Sequence, residues 1–64
     1  MYKELLNCIN KNITIIIKHN EITEITGELL GIDEYLNIII RNNQNITLYY
    51  TRYIIEYIIP INNT

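Results

Sequence analysis

From Ile13 the period of the chain is two: Ile13, Ile15 and Ile17 point to one side, and Thr14, Ile16 and Lys18 to the other. That alternation predicts a strand with one unusually apolar outer position, Ile16. His19, Asn20 and Glu21 interrupt it with turn-tolerant residues. A second strand is expected over residues 22–32, where alternation puts Ile25, Gly27, Leu29 and Gly31 on one face. Glycine weakens a strand interior, so two on the same face predict a sharp bend, with the long strand pairing to different neighbours on either side of it. Asp33 and Glu34 turn the chain. Residues 35–41 then alternate again, sending Leu36, Ile38 and Ile40 inward and Tyr35, Asn37 and Ile39 outward. Asn42 to Asn45 read as a polar loop, Ile46, Leu48 and Tyr50 as a fourth strand, and Thr51 to Tyr53 as a corner. Residues 54–59 form a fifth strand that Pro60, lacking an N–H, ends. Ahead of all this, residues 2–10 space Leu5, Leu6 and Ile9 at helical intervals and leave Lys3 and Glu4 for solvent. The pattern thus predicts a mainly β fold in one domain over residues 1–64. It comprises a short N-terminal helix (2–10), a strongly bent, five-stranded antiparallel small barrel (13–60) and a frayed tail (61–64).

Composition changes the picture in two ways. A chain of 64 residues buries only about 60% of the surface its unfolded form exposes, so a domain of this size is marginal without a staple. Its one cysteine, Cys8, cannot form an internal disulfide and reads as a small helix hydrophobe, and no Cys/His cluster suggests a metal. Oligomerisation is the remaining source of burial. The apolar share is 48%, dominated by isoleucine with six tyrosines and neither Phe nor Trp, which favours strands. An AT-rich genome would enrich isoleucine and asparagine in the same way.

Net charge is −2, and only Lys3, Lys11, Lys18, Arg41 and Arg52 are basic. There is no basic patch, so any nucleic-acid binding has to use specific pockets or a partner's charge. No carboxylate pair, activated nucleophile, phosphate-cradling loop or metal set stands at a usable spacing, and His19 has no catalytic partner, so neither an enzyme nor a cofactor is expected. No signal peptide or membrane-length apolar run is present, which predicts no membrane partner and makes the NIT triplets at Asn12 and Asn45 chance sequons.

Within GELLGIDEYLNIII, the combination of Gly27, Leu29, Asp33, Leu36, Asn37 and Ile40 resembles the first motif of the Sm and like-Sm (LSm, Hfq-related) family. The preceding NKNITIIIK is similar to that family's first strand. YYTRYIIEYIIP, through Ile55, Ile58 and Pro60, resembles the second motif, with Thr51 where the family often has arginine and Arg52 where it has glycine. Arg52 could alternatively correspond to the lysine of the bacterial Hfq branch. GELLGIDEYLN and the missing Arg-Gly pair look most like the fifth like-Sm subunit of eukaryotic rings, and a small bacterial or archaeal member stays open.

The resemblance implies the SH3-like Sm fold and a hexameric or heptameric ring with other Sm-like subunits, a hetero-oligomer being favoured over a homo-oligomer. Neighbours would pair the fourth strand of one with the fifth of the next, and Tyr49, Tyr53 and Tyr57 are the candidate seam residues. It also places Asp33, Tyr35 and Asn37 at the ring's central opening. There a tyrosine face can stack on a base, Asn37 can read the edge of uracil, and Asp33 can hold Asn37. Arg52 is the candidate replacement for the missing arginine. The implied function is binding of uridine-rich single-stranded RNA in RNA processing, splicing or decay. The compartment would be cytoplasmic or nuclear in a eukaryote and cytoplasmic in a prokaryote. Two other readings remain: a scaffold subunit with a degenerate RNA pocket that acts through protein contacts only, and a bacterial small barrel with no RNA role.

Overall fold

The isoleucine alternation forms a strand, β1 (Asn12–His19), in a computed structural model that describes residues 1–60. Ile13 and Ile15 are buried and Ile17 packs against the core, while Thr14 and Ile16 on the other face are half-buried. Asn20 alone makes the turn into β2 (Glu21–Ile32), with φ of 75°. Asparagine tolerates this left-handed backbone better than other side chains do, so the turn needs no glycine.

The long strand β2 divides its pairing at Glu28. Residues from Glu21 to Glu28 pair antiparallel with β1, whereas Glu28 to Ile32 pair with β3 (Ile38–Asn42). Gly27 sits where the two halves meet. A Cβ there would lie 2.5 Å from the Arg41 carbonyl oxygen and 2.6 Å from Ile40 Cγ2, so only glycine lets β3 come this close. Gly31 does not share the inner face with Leu29 as alternation suggests. The register slips between Leu29 and Gly31, leaving Gly31 opposite the exposed Ile39 and Ile32 opposite the buried Ile38. A one-residue bulge exchanges the two faces, which period-two counting cannot foresee.

Two residues, Asn43 (φ 58°) and Gln44, connect β3 to β4 (Asn45–Tyr49). A single 3-10 turn, Thr51–Tyr53, then leads into β5 (Ile54–Ile58). The sheet order is β4-β3-β2-β1-β5. The sheet is strongly bent around its core, with β4 and β5 left at its two borders. In β4 the apolar residues Ile46 and Leu48 are exposed, and the half-buried Tyr49 is the one that packs against the core. In β5, Ile54 and Tyr57 pack against the core, as does Ile59 just beyond the strand, while Ile55 and Ile58 are exposed. A register shift opposite Ile16 and Ile17 produces this uneven pattern.

The N-terminal helix, α1, is shorter than the helical spacing predicts: it spans Tyr2–Leu6 rather than residues 2–10. Beyond it the chain tightens into turns, with Cys8 N–H donating to the Leu5 carbonyl (2.9 Å) and Ile9 N–H to that of Leu6 (3.2 Å). Asn10 takes φ of 71°, and its N–H donates to the Leu29 carbonyl at 2.7 Å. Leu29 N–H donates in turn to Lys11 at 2.9 Å, so pairing with β2 captures backbone that would otherwise extend the helix. A five-residue helix is unstable alone, and Leu5, fully buried with Cys8 against the sheet, holds it. Leu5, Ile15, Leu29, Ile38 and Ile40 are the fully buried side chains, each worth about 1.5–3 kcal/mol relative to exposure. The tail expected at residues 61–64 lies outside the described residues.

Candidate nucleic-acid interface

The connection from β2 to β3 is built on one carboxylate. Asp33 Oδ1 accepts from the N–H groups of Tyr35 and Asn37, both at 2.9 Å, closing an Asx-type turn. Asp33 Oδ2 accepts from Asn37 Nδ2 at 2.9 Å. The backbone closes the same loop, with Asp33 N–H donating to the Asn37 carbonyl and Leu36 N–H to that of Asp33. Leu36 is held at φ of 68°. Tyr35, Leu36 and Asn37 therefore form a compact turn and are not the start of β3. Strand-like alternation extends through them only because Tyr35 faces solvent and Leu36 packs inward.

Desolvation by the loop pushes the Asp33 carboxyl up. The hydrogen bonds from the Asn37 side chain, the Asn37 N–H and the Tyr35 N–H outweigh it, and its pKa lies below the ordinary aspartate value. The group is a fixed anion at neutral pH. Its charge orients the amide of Asn37, because only Nδ2 can donate to it.

The opposite wall is the corner after β4. Thr51 N–H donates to Asn37 Oδ1 at 2.8 Å, which joins the two walls through one side chain. Together Tyr35, Asn37, Tyr50, Thr51 and Arg52 line an open pocket of about 410 Å³. Three of the four residues expected to contact RNA thus come together. Asp33, the fourth, stands behind Asn37.

Arg52 is the one basic residue in this lining. Its guanidinium carbon lies 4.9 Å from the centre of the Tyr53 ring, and that ring packs against His19 at 4.5 Å with a tilt of 46°. Arg41 is engaged elsewhere, with Nη2 2.7 Å from Glu28 Oε1 on the sheet surface.

The tyrosines expected at a subunit seam lie differently from one another. Tyr49 and Tyr57 are half-buried against the core of their own chain, and Tyr53 stacks with His19. The Tyr57 hydroxyl donates to the Leu36 carbonyl at 3.0 Å and lies 3.0 Å from Thr51 Oγ1. The sequence reading missed Tyr50 and Thr51 as lining residues, and Tyr57 as an internal contact. Thr51 contributes mainly through its backbone N–H, which no residue pattern reveals. Tyr57 gave no readable signal either, since its place opposite Ile15 follows from the register shift between β1 and β5.

Among the described residues, no group of three or more His, Cys, Asp or Glu could hold a metal ion, and no helix is long and apolar enough to cross a membrane. The chain matches no curated protein. A family model, the LSM domain, matches residues 3–59, which takes in all of α1 but Tyr2, all five strands and both pocket walls. With the helix-then-bent-sheet order and the Asp33–Asn37 turn already described, the match shows that this chain belongs to the LSM domain family of Sm-like ring subunits, which commonly bind RNA.

Proposed function

We propose that the chain binds uridine-rich single-stranded RNA in the central opening of a ring, one base per subunit. What carries this reading is the convergence of Tyr35, Asn37 and Arg52 on one pocket, with the Asn37 amide held between Asp33 and the Thr51 N–H. A primary amide has two N–H donors and two acceptor lone pairs. Asp33 occupies one donor and Thr51 one lone pair, so one of each remains. A uracil edge can use such a donor and acceptor together. Tyr35, 69% exposed, offers a ring face worth about 1–3 kcal/mol per stacked base. Arg52 brings positive charge to an acidic chain.

One such pocket binds weakly, and linked pockets around a ring multiply the effect without any new kind of contact. The seam in this proposal joins β4 of one subunit to β5 of the next, through Ile46, Leu48, Ile55 and Ile58, with Tyr49, Tyr53 and Tyr57 backing it from inside. Partner subunits are other Sm-like chains in a hexamer or heptamer, a mixed ring being favoured. The setting is RNA processing, splicing or decay, in the cytoplasm or nucleus.

The test titrates a uridine-rich oligonucleotide against the assembled protein, with ring size followed by native mass measurement. Asn37→Ala should weaken binding at least about tenfold, as loss of a base-reading amide in each linked pocket requires. Tyr35→Ala removes an exposed ring that makes no side-chain hydrogen bond, so it should weaken binding while leaving the melting temperature in place. Equal binding by the parent and both variants would overturn the proposal and leave a scaffold subunit.

A further inference from the structure

Tyr57 touches both the residue that precedes Asn37 and one of the two residues that bond its side chain. Leu36 immediately precedes Asn37, and its carbonyl accepts the Tyr57 hydroxyl proton at 3.0 Å. With that proton committed, the same oxygen accepts from Thr51 Oγ1 at 3.0 Å. The chain of donation has one direction: Thr51 hydroxyl to Tyr57 hydroxyl to Leu36 carbonyl. Thr51 also donates its N–H to Asn37 Oδ1. All of these contacts are part-buried, where hydrogen bonds are stronger and lost ones are poorly replaced by water.

The relay meets a backbone that needs holding. Leu36 is a non-glycine residue at φ of 68°, a conformation its branched side chain disfavours without support. Tyr57 is well placed to give it. Its ring packs against the core opposite Ile15, so the hydroxyl is presented from a fixed base. Tyr57 does not line the pocket.

Building on the RNA reading above, we infer that Tyr57 is a positioning residue for the pocket. From border strand β5 its hydroxyl fixes the 33–37 turn and the corner against each other, and so sets the angle at which the Asn37 amide meets a base.

The experiment uses Tyr57→Phe in the assembled protein, with uridine-rich and cytidine-rich oligonucleotides of equal length as probes. The ring of phenylalanine keeps the packing, so native mass should match the parent, while melting temperature should fall by several degrees as two part-buried hydrogen bonds are lost. Amide hydrogen exchange at Asn37 and Thr51 should quicken, and affinity for the uridine-rich probe should fall about three- to tenfold per pocket, a loss the size of one net hydrogen bond although the variant removes two, because the base contacts themselves remain. The preference for uridine over cytidine should narrow, which general loosening of the fold would not produce. Thr51→Val should act in the same direction, and Thr51→Ser, which keeps the hydroxyl, should restore parental discrimination. Unchanged exchange and unchanged preference in Tyr57→Phe would overturn the inference. So would a loss of binding that is equal for both probes, or a broken ring. A parent protein that binds neither probe would end the RNA reading and this role with it, whereas parental binding matched by Tyr57→Phe would end the positioning role alone.

Discussion

The two walls of the pocket are stabilised in opposite ways. The Asp33–Asn37 turn draws most of its bonds from within: one carboxylate accepts three hydrogen bonds from the turn and two backbone bonds close it, with the Tyr57 hydroxyl and the Thr51 N–H as its supports from outside. The corner at Thr51–Tyr53 has only two backbone bonds of its own, from Tyr53 N–H to the Tyr50 carbonyl at 3.0 Å and from Ile54 N–H to the Thr51 carbonyl. Its other supports come from outside, through Asn37 Oδ1, the Tyr57 hydroxyl and the His19 ring against Tyr53. A local motif can therefore specify the first wall, whereas the second is specified only by the assembled fold. The second wall is also where the chain departs from the family pattern, at Thr51 and Arg52.

The largest expected effect strikes the first wall through its foundation. Gly27→Ala places a methyl group against the Arg41 carbonyl and Ile40 Cγ2, and the backbone atom cannot swing aside as a side-chain end could. Denaturant unfolding should show a loss of about 2–3 kcal/mol, in the range for overpacking. An unchanged midpoint would show that β2 and β3 do not depend on this close approach.

A smaller effect is expected from removing the cation of the second wall. Arg52→Ala should leave the melting temperature nearly unchanged, because the side chain is exposed and its contact with Tyr53 is a surface one. RNA affinity should fall, and the slope of log affinity against log salt should flatten by about 0.7 per subunit if Arg52 neutralises a phosphate on a single strand. The same slope in parent and variant would mean that Arg52 touches no phosphate.

The smallest effect appears only in acid. Asp33 has a folded-state pKa below its ordinary value of 3.8. Its contribution to stability is therefore complete above that value and is lost as pH falls through the depressed one. Between neutrality and about pH 4, parent and Asp33→Asn should keep a constant difference in melting temperature, and below that the difference should shrink. A difference already shrinking near pH 6 would contradict a carboxylate held ionised by its turn.

The strands were legible in the sequence because each depends on short-range periodicity, whereas the first wall, a turn closed by Asp33, was read as the start of β3. Ile13 and Ile15 fall inward as counted, and Asp33 meets Asn37 as the family resemblance implied. Features that depend on a register shift were not legible. The slip between Leu29 and Gly31 reverses the face of every later residue in β2, and the shift in β5 turns Ile55 outward and Tyr57 inward. Apolar alternation in β4 gave a further false cue. Ile46 and Leu48 look like core positions, yet they lie on an outward row of a border strand. The helical spacing of Leu5, Leu6 and Ile9 overstated α1 because backbone pairing of Asn10 and Lys11 with Leu29 is a long-range competitor.

The location of β4 and β5 at opposite ends of one sheet has a consequence for growth. A copy that docks its β4 against the β5 of another consumes one unpaired border on each molecule, and the resulting pair still has one border of each type. Such head-to-tail addition has no natural stopping point at two. It stops only if the turn angle per step brings the last copy back to the first, so the bend in β2 at Gly27 helps decide whether association ends in a closed circle or runs on as a fibre.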